Sequence, residues 1–148
     1  MKTPEAGPNV SALSDAERDS IKAAALDYVE GYFEGNPERM RRCLHPELVK
    51  RSLWHSRESG DWGLGRISTK DDMVGWARDG AGKDAPDGGR PITVTVEDAF
   101  RHIASVKVES GPFMDYLHLA KLGDQWLIVN VLWEVTQGER EPPPSHGG

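Results

Sequence analysis

Several kinds of residue and segment are scarce in this chain of 148 residues, and each scarcity excludes something. It has one cysteine, Cys43, so it cannot close an internal disulfide or supply a cysteine-rich metal centre. Positive charge is in deficit: 18 Lys and Arg face 24 Asp and Glu, a net charge of −6, and a dedicated nucleic-acid binder would show a basic face instead. No stretch approaches the roughly 18 apolar residues of a membrane span, and residues 1–9 lack the apolar centre of a signal peptide. A soluble, cytoplasmic protein that binds neither nucleic acid nor membrane is the expectation. The histidines are scattered without His-x-x-x-His or Glu-x-x-His spacing, so no metal is expected. The glycine-rich stretch 80–89 does not follow a strand and lacks the ordering of a phosphate loop, so no cofactor is expected either.

What is present suits one domain. The length is near the commonest domain size, and a chain of this size can bury about 68–70% of its unfolded surface without a covalent staple. The segments 1–13 and 137–148 are rich in Pro, Gly and charge and read as disordered tails, leaving 14–136 as the folded domain. Ser14-Asp15-Ala16-Glu17 reads as a capping box. Behind it Ile21, Ala25, Tyr28, Val29, Tyr32 and Phe33 recur at three- and four-residue spacing, an amphipathic helix stopped by Gly35. Asn36-Pro37 opens a short second helix that ends before His45-Pro46. Cys43, at helical spacing within it, reads as a small buried hydrophobe.

Leu48 to His55 reads as a strand and Glu58 to Gly63 as a loop; a third helix opens at Ser68 or Thr69 and carries Met73, Val74 and Trp76. From Ile92 the period becomes two. Ile92, Val94 and Val96 alternate with threonines, and Ala104, Val106 and Val108 alternate with Ser105, Lys107 and Glu109. Phe113 to Leu122 and Gln125 to Thr136 flank the two-residue turn Gly123-Asp124. Helices first and an antiparallel meander afterwards mean an α+β fold with the helices on one face of the sheet.

Continuous pairing back from Leu122 and Gln125 sets His118 opposite Val129, Tyr116 opposite Val131 and Met114 opposite Trp133 on a face taken to be the inner one. The other face then carries Leu119 with Ile128, Leu117 with Asn130 and Asp115 with Leu132. Both faces are largely apolar, and the helices can cover only one, so a homodimer packed sheet to sheet is expected.

The helix ending Leu26-Asp27-Tyr28-Val29-Glu30-Gly31-Tyr32, the following Gly35-Asn36-Pro37-Glu38-Arg39-Met40 and the closing Gly123-Asp124-Gln125-Trp126-Leu127-Ile128-Val129-Asn130 resemble the nuclear transport factor two-like (SnoaL-like, cystatin-like cone) superfamily. His45 to Arg51, Asp115 to Leu119 and Asn130 to Glu134 resemble its bacterial branch labelled "putative lumazine-binding". The resemblance covers about 14–136. It implies a cone-shaped barrel in which a long first helix and two shorter ones pack on a strongly curved, mostly antiparallel sheet, with a pocket inside and a dimer contact outside. Relatives include ketosteroid isomerases, scytalone dehydratase, limonene epoxide hydrolase, polyketide cyclases and non-enzymatic binding proteins, so the fold does not choose a function. Ketosteroid isomerases carry a tyrosine donor where Tyr28 falls. Their general-base Asp would fall in Lys50-Arg51-Ser52, which has no carboxylate. Their second acid would fall on the strand matching Met114 to His118, whose inward residues on this reading are Met114, Tyr116 and His118, so isomerisation by the same groups is not expected.

The candidate pocket residues are Tyr28 and Tyr32 on the first helix, Trp54 on the first strand and Trp76 on the third helix. Tyr116, His118 and Trp133 join them from the last hairpin. Each also has a packing alternative: a core tyrosine whose hydroxyl finds a polar neighbour, a satisfied strand histidine, a tryptophan that simply fills space. Apolar and aromatic walls with a few polar groups suit a small apolar or aromatic ligand. The alternative is an isomerase, dehydratase or cyclase with His118 as base and Tyr28 or Tyr116 as donor. A dimeric interaction module without a ligand is a further alternative. Trp62 is placed in a loop near the pocket mouth, and Trp126, opposite Lys121, is read as structural.

Overall fold

The computed structural model describes residues 13–142. The fold is α+β: three helices pack on a six-stranded, mostly antiparallel curved sheet, the cone expected from the resemblance. Helix α1 spans Asp15–Glu34, α2 Pro37–Cys43 and α3 Lys70–Asp79. The strands are β1 (Leu44–His55), β2 (Trp62–Leu64), β3 (Ile92–Phe100), β4 (Ile103–Ser110), β5 (Phe113–Leu122) and β6 (Gln125–Val135). Their order across the sheet is β2-β1-β6-β5-β4-β3, and only β1 with β6 runs parallel.

Local chemistry explains the helix ends. The Ser14 hydroxyl accepts the Glu17 N–H, as a cap should. The reciprocal half of the expected box is not what the Glu17 side chain makes: its carboxylate accepts from Trp126 Nε1 at 2.7 Å and pairs with Lys121. A charge-assisted tertiary bond outcompetes a local one, and it pins the start of α1 to β5 and β6. The full capping box stands at α3, where Thr69 and Asp72 satisfy each other's backbone amides. On α2, Arg39 reaches Asp27 at 2.9 Å and Glu30 at 2.8 Å, while Arg42 holds Asp27 through two bonds of 2.8 Å. Helix α2 is thereby clamped to α1.

The core lies between α1 and the concave side of the sheet, with Ile21, Ala25 and Val29 meeting Val106, Leu117, Leu119 and Ile128. Cys43 is buried, donates its thiol to the Met40 carbonyl at 3.3 Å, and burial pushes its pKa up to about 12. It is a packing residue.

Four details differ from the sequence reading. Strand β1 begins at Leu44 rather than Leu48, because the chain enters the sheet beside Ile128 directly from α2. Trp62, read as a loop residue, opens the short strand β2 and stacks on His55 with ring centres 4.3 Å apart. Residues 137–142, read as tail, run back beside the end of β1, where His55 N–H donates to the Arg140 carbonyl at 2.8 Å. The fourth difference decides the site. The β5–β6 pairing is regular from Leu122 with Gln125 to Leu119 with Ile128, then shifts so that His118 meets Asn130 and Asp115 meets Trp133. Val129 is the extra residue of a β-bulge, and it reverses which β6 side chains face inward. Trp126 and Ile128 are buried before the bulge; Val131 is buried after it, with Trp133 packed against the core. The far end of β5 keeps its phase, so Asp115, Leu117 and Leu119 are the inward residues.

Candidate functional site

A cavity of about 330 Å³ opens between α1 and the curved sheet. Helix α1 supplies Tyr28, Val29, Tyr32 and Phe33, the stripe set by the three- and four-residue spacing. The sheet supplies Lys50 and Ser52 from β1, Ser110 from β4, Phe113 and Asp115 from β5, and Trp133 from β6. Trp76 of α3 closes one side, and Arg66 and Arg140 reach in from connecting segments.

One wall is aromatic. Tyr32 meets Phe33 edge to face at 5.4 Å, Phe33 stacks on Phe113 at 6.1 Å, and Phe113 meets Trp133 edge to face at 5.2 Å. Such rings offer flat apolar surface with little freedom to collapse.

Opposing polarity is concentrated in one chain of hydrogen bonds. Lys50 Nζ donates to the Tyr28 hydroxyl at 2.8 Å, and that hydroxyl donates to Asp115 Oδ2 at 2.7 Å. The Lys50 ammonium also lies 5.0 Å from the Tyr28 ring centre and 5.6 Å from that of Trp133. Burial disfavours every charge here. It lowers the Lys50 pKa to about 8, with the Asp115 carboxylate pulling the other way. It raises the pKa of Asp115, opposed by Lys50 and by the Tyr28 hydrogen bond. The Tyr28 phenol is pushed well above its ordinary value by burial and then by Asp115, so it stays a neutral donor. The triad can pass a proton or present one hydroxyl and one amine to a polar atom of a guest.

Four sequence candidates lie on the cavity wall: Tyr28, Tyr32, Trp76 and Trp133. Three do not. Tyr116 and His118 are exposed on the convex face of β5, opposite Leu132 and Asn130, because the inward phase of that strand belongs to Asp115 and Leu117. His118 therefore cannot act as a base on a molecule in the cavity, which removes that form of the enzyme alternative. Trp54 covers Gly63 of β2, where a methyl group would stand 2.2 Å from its ring, and it does not line the cavity. Trp62, stacked on His55, does not line it either.

Lys50, Asp115 and Arg140 escaped the sequence reading. A signal for Asp115 was available. Strand β4 alternates cleanly, with Val106 and Val108 inward, and the tight turn at Gly111-Pro112 sets Ser110 opposite Phe113 and Val108 opposite Asp115. Residues directly opposite across a strand pair share a face, so Asp115 follows Val108 into the interior. Among the described residues no three His, Cys, Asp or Glu side chains converge as a metal site. No helix among them is long and apolar enough to cross a membrane.

A family model described as "Putative lumazine-binding" matches residues 16–134. A search of curated proteins found no significant match. Among solved structures, an NTF-2 like protein of unknown function from Silicibacter pomeroyi DSS-3 superposes with a TM-score of 0.60 at 17% identity, over 83% of this chain and 99% of that one. A cystatin-like fold protein of unknown function from Nostoc punctiforme PCC 73102 gives 0.60 at 11% identity, over 86% and 96%. A ketosteroid isomerase-like protein from Erwinia carotovora atroseptica gives 0.53 at 12% identity, over 84% and 100%. At these identities the likeness is one of fold.

Proposed function

Since the chain belongs to the family described as "Putative lumazine-binding" and has its cone fold, we propose that it binds a small, planar, largely aromatic molecule inside the cone. The observation that carries this is the aromatic-walled cavity of about 330 Å³ with the Lys50–Tyr28–Asp115 chain on its wall. Its size and make-up, apolar surface around a few convergent polar groups, are those of ligand sites generally. The family description, which names lumazine, agrees with a flat guest. The protein acts as a homodimer joined through the convex face of the sheet, where Tyr116 and Leu132 are each 50% exposed.

Tryptophan fluorescence tests the reading directly, because Trp76 and Trp133 line the cavity. Lumazine or 2-naphthol quenches the wild type saturably, and Trp133→Ala weakens binding about tenfold, the loss of one buried stacking partner. Trp62→Ala, outside the cavity, leaves affinity unchanged. Absence of saturable binding by any planar probe, or equal effects of the two substitutions, overturns it.

A second reading is favoured by the hydrogen-bonded chain itself: an enzyme of the isomerase, dehydratase or cyclase kind acting on the same guest. Tyr28 is the proton donor and Asp115 the group that receives and returns the proton, in place of the surface histidine.

A further inference from the structure

The connection leaving β6 places an arginine where an uncharged guest has no use for one. After a bend at 137–138, the chain passes beside the end of β1, where the His55 N–H donates to the Arg140 carbonyl at 2.8 Å. The two acids flanking Arg140 are engaged away from it: Glu139 pairs with His55, and Glu141 lies 3.5 Å from Arg57. Arg140 itself turns to the cavity, its guanidinium carbon 5.3 Å from the centre of the Trp133 ring. Its Nη1 is buried and has no hydrogen-bond partner.

The charge balance of the wall points the same way. Three cations line the cavity, Lys50, Arg66 and Arg140, against one carboxylate, Asp115. Asp115 is already engaged by the Tyr28 hydroxyl at 2.7 Å and by the field of Lys50. Ser110 Oγ, also on the wall and 2% exposed as a residue, is a second buried polar atom without a partner. Buried donors are paired in folded proteins because leaving them unpaired is costly, most of all when they are charged. A guanidinium held over the indole at the end of an aromatic wall matches a carboxylate carried by an aromatic ring: N–H donors for the acid, and the wall of Tyr32, Phe33, Phe113 and Trp133 for the ring.

We propose that the ligand is a small aromatic carboxylic acid, its acid group held by Arg140 and its ring against the aromatic wall that ends in Trp133. This rests on the reading of the cavity as a site for a planar guest and adds the chemical class of that guest. The surplus positive charge also draws an anion toward a molecule whose net charge is −6.

A matched pair of probes separates the two ideas: 2-naphthoic acid and 2-naphthalenemethanol, the same ring with and without a charge. By isothermal titration at pH 7 and low salt, the wild type prefers the acid by about tenfold or more, the worth of one charge-assisted hydrogen bond. Arg140→Gln keeps a polar side chain but removes the charge and the guanidinium fork. It weakens the acid at least tenfold and the alcohol much less, so the preference collapses. Equal affinity of the wild type for both probes, or a preference that survives in R140Q, overturns the carboxylate assignment while leaving the cavity a site for planar guests. If neither probe binds a wild type whose near-ultraviolet circular dichroism shows native packing, the cavity reading fails and the assignment with it.

Discussion

The Lys50 amine is held between two opposed demands. Burial strips its ammonium of water and favours the neutral form, while the Asp115 carboxylate favours the charged one, and the balance falls at about 8 instead of 10.5. The sign of the linkage follows. Between about pH 8 and 10.5 the unfolded chain holds a proton at Lys50 that the folded chain has released, so this group makes native stability rise with pH across that window. Asp115→Asn removes the opposing field, so the Lys50 pKa falls below about 8 in that variant. Reductive ¹³C-methylation followed by NMR titration reads it directly, and an unchanged or higher value would falsify the electrostatic account. The same pair shows what sequence could convey at this scale. Tyr28, Tyr32 and Trp133 were legible because large apolar rings announce burial. Lys50 was not, because it stands beside Arg51 in a strand with polar residues on both phases, and Asp115 could be reached only through its pairing with the inward Val108 of β4.

At the scale of elements, helix existence and the antiparallel run from β3 to β6 were legible from spacing and turn chemistry, while the parallel pairing of β1 with β6, strand β2 and the facing of β6 were not. Nothing in Leu127-Ile128-Val129-Asn130 distinguishes a regular strand from one with an extra residue at Val129; the bulge is set by how the sheet must bend around α1. The loop between α3 and β3 is a second such case, since its role emerges only where it touches the cavity. Gly89 has φ +75°, and a methyl group there would stand 2.2 Å from Phe33 Cε2, a residue of the cavity wall. Gly60 has a similar φ of +78° with nothing within 4 Å. Alanine at Gly60 therefore incurs only the left-handed backbone cost, about 1–2 kcal/mol. Alanine at Gly89 adds the collision, about 1–3 kcal/mol more, and drives Phe33 toward the cavity. Urea denaturation ranks the two variants, and planar-probe affinity falls in G89A alone. Equal stabilities would mean that Phe33 yields freely.

For the whole molecule, the two faces of the sheet have different work. The concave face is spent on α1 and the cavity. On the convex face Tyr116 lies directly opposite Leu132, both 50% exposed, and Ile103 stands on the neighbouring strand β4 at 59%. Lys107 and Arg51 flank that pair across the sheet, Asn130 and Glu134 lie along β6, and Ser105 with His118 separates it from Ile103; the proposed dimer buries the two apolar side chains. The bulge changes which residues of the hairpin lie outside, so the proposed sheet-to-sheet dimer uses a different convex set from the one the regular register predicts. Tyr116 lies on the convex face instead of in the pocket, within the contact proposed for the dimer. Sedimentation equilibrium at micromolar concentration gives twice the mass of one chain for the wild type. Leu132→Arg sets a buried, unpaired charge at the centre of the contact, a penalty of several kcal/mol per complex, and shifts the protein to monomer with its far-ultraviolet circular dichroism intact. Because Leu132 points away from the cavity, the monomeric variant retains planar-probe affinity, so association and ligand binding are separable. A wild type that sediments as a single chain overturns the sheet-to-sheet assembly and leaves the cavity assignment standing.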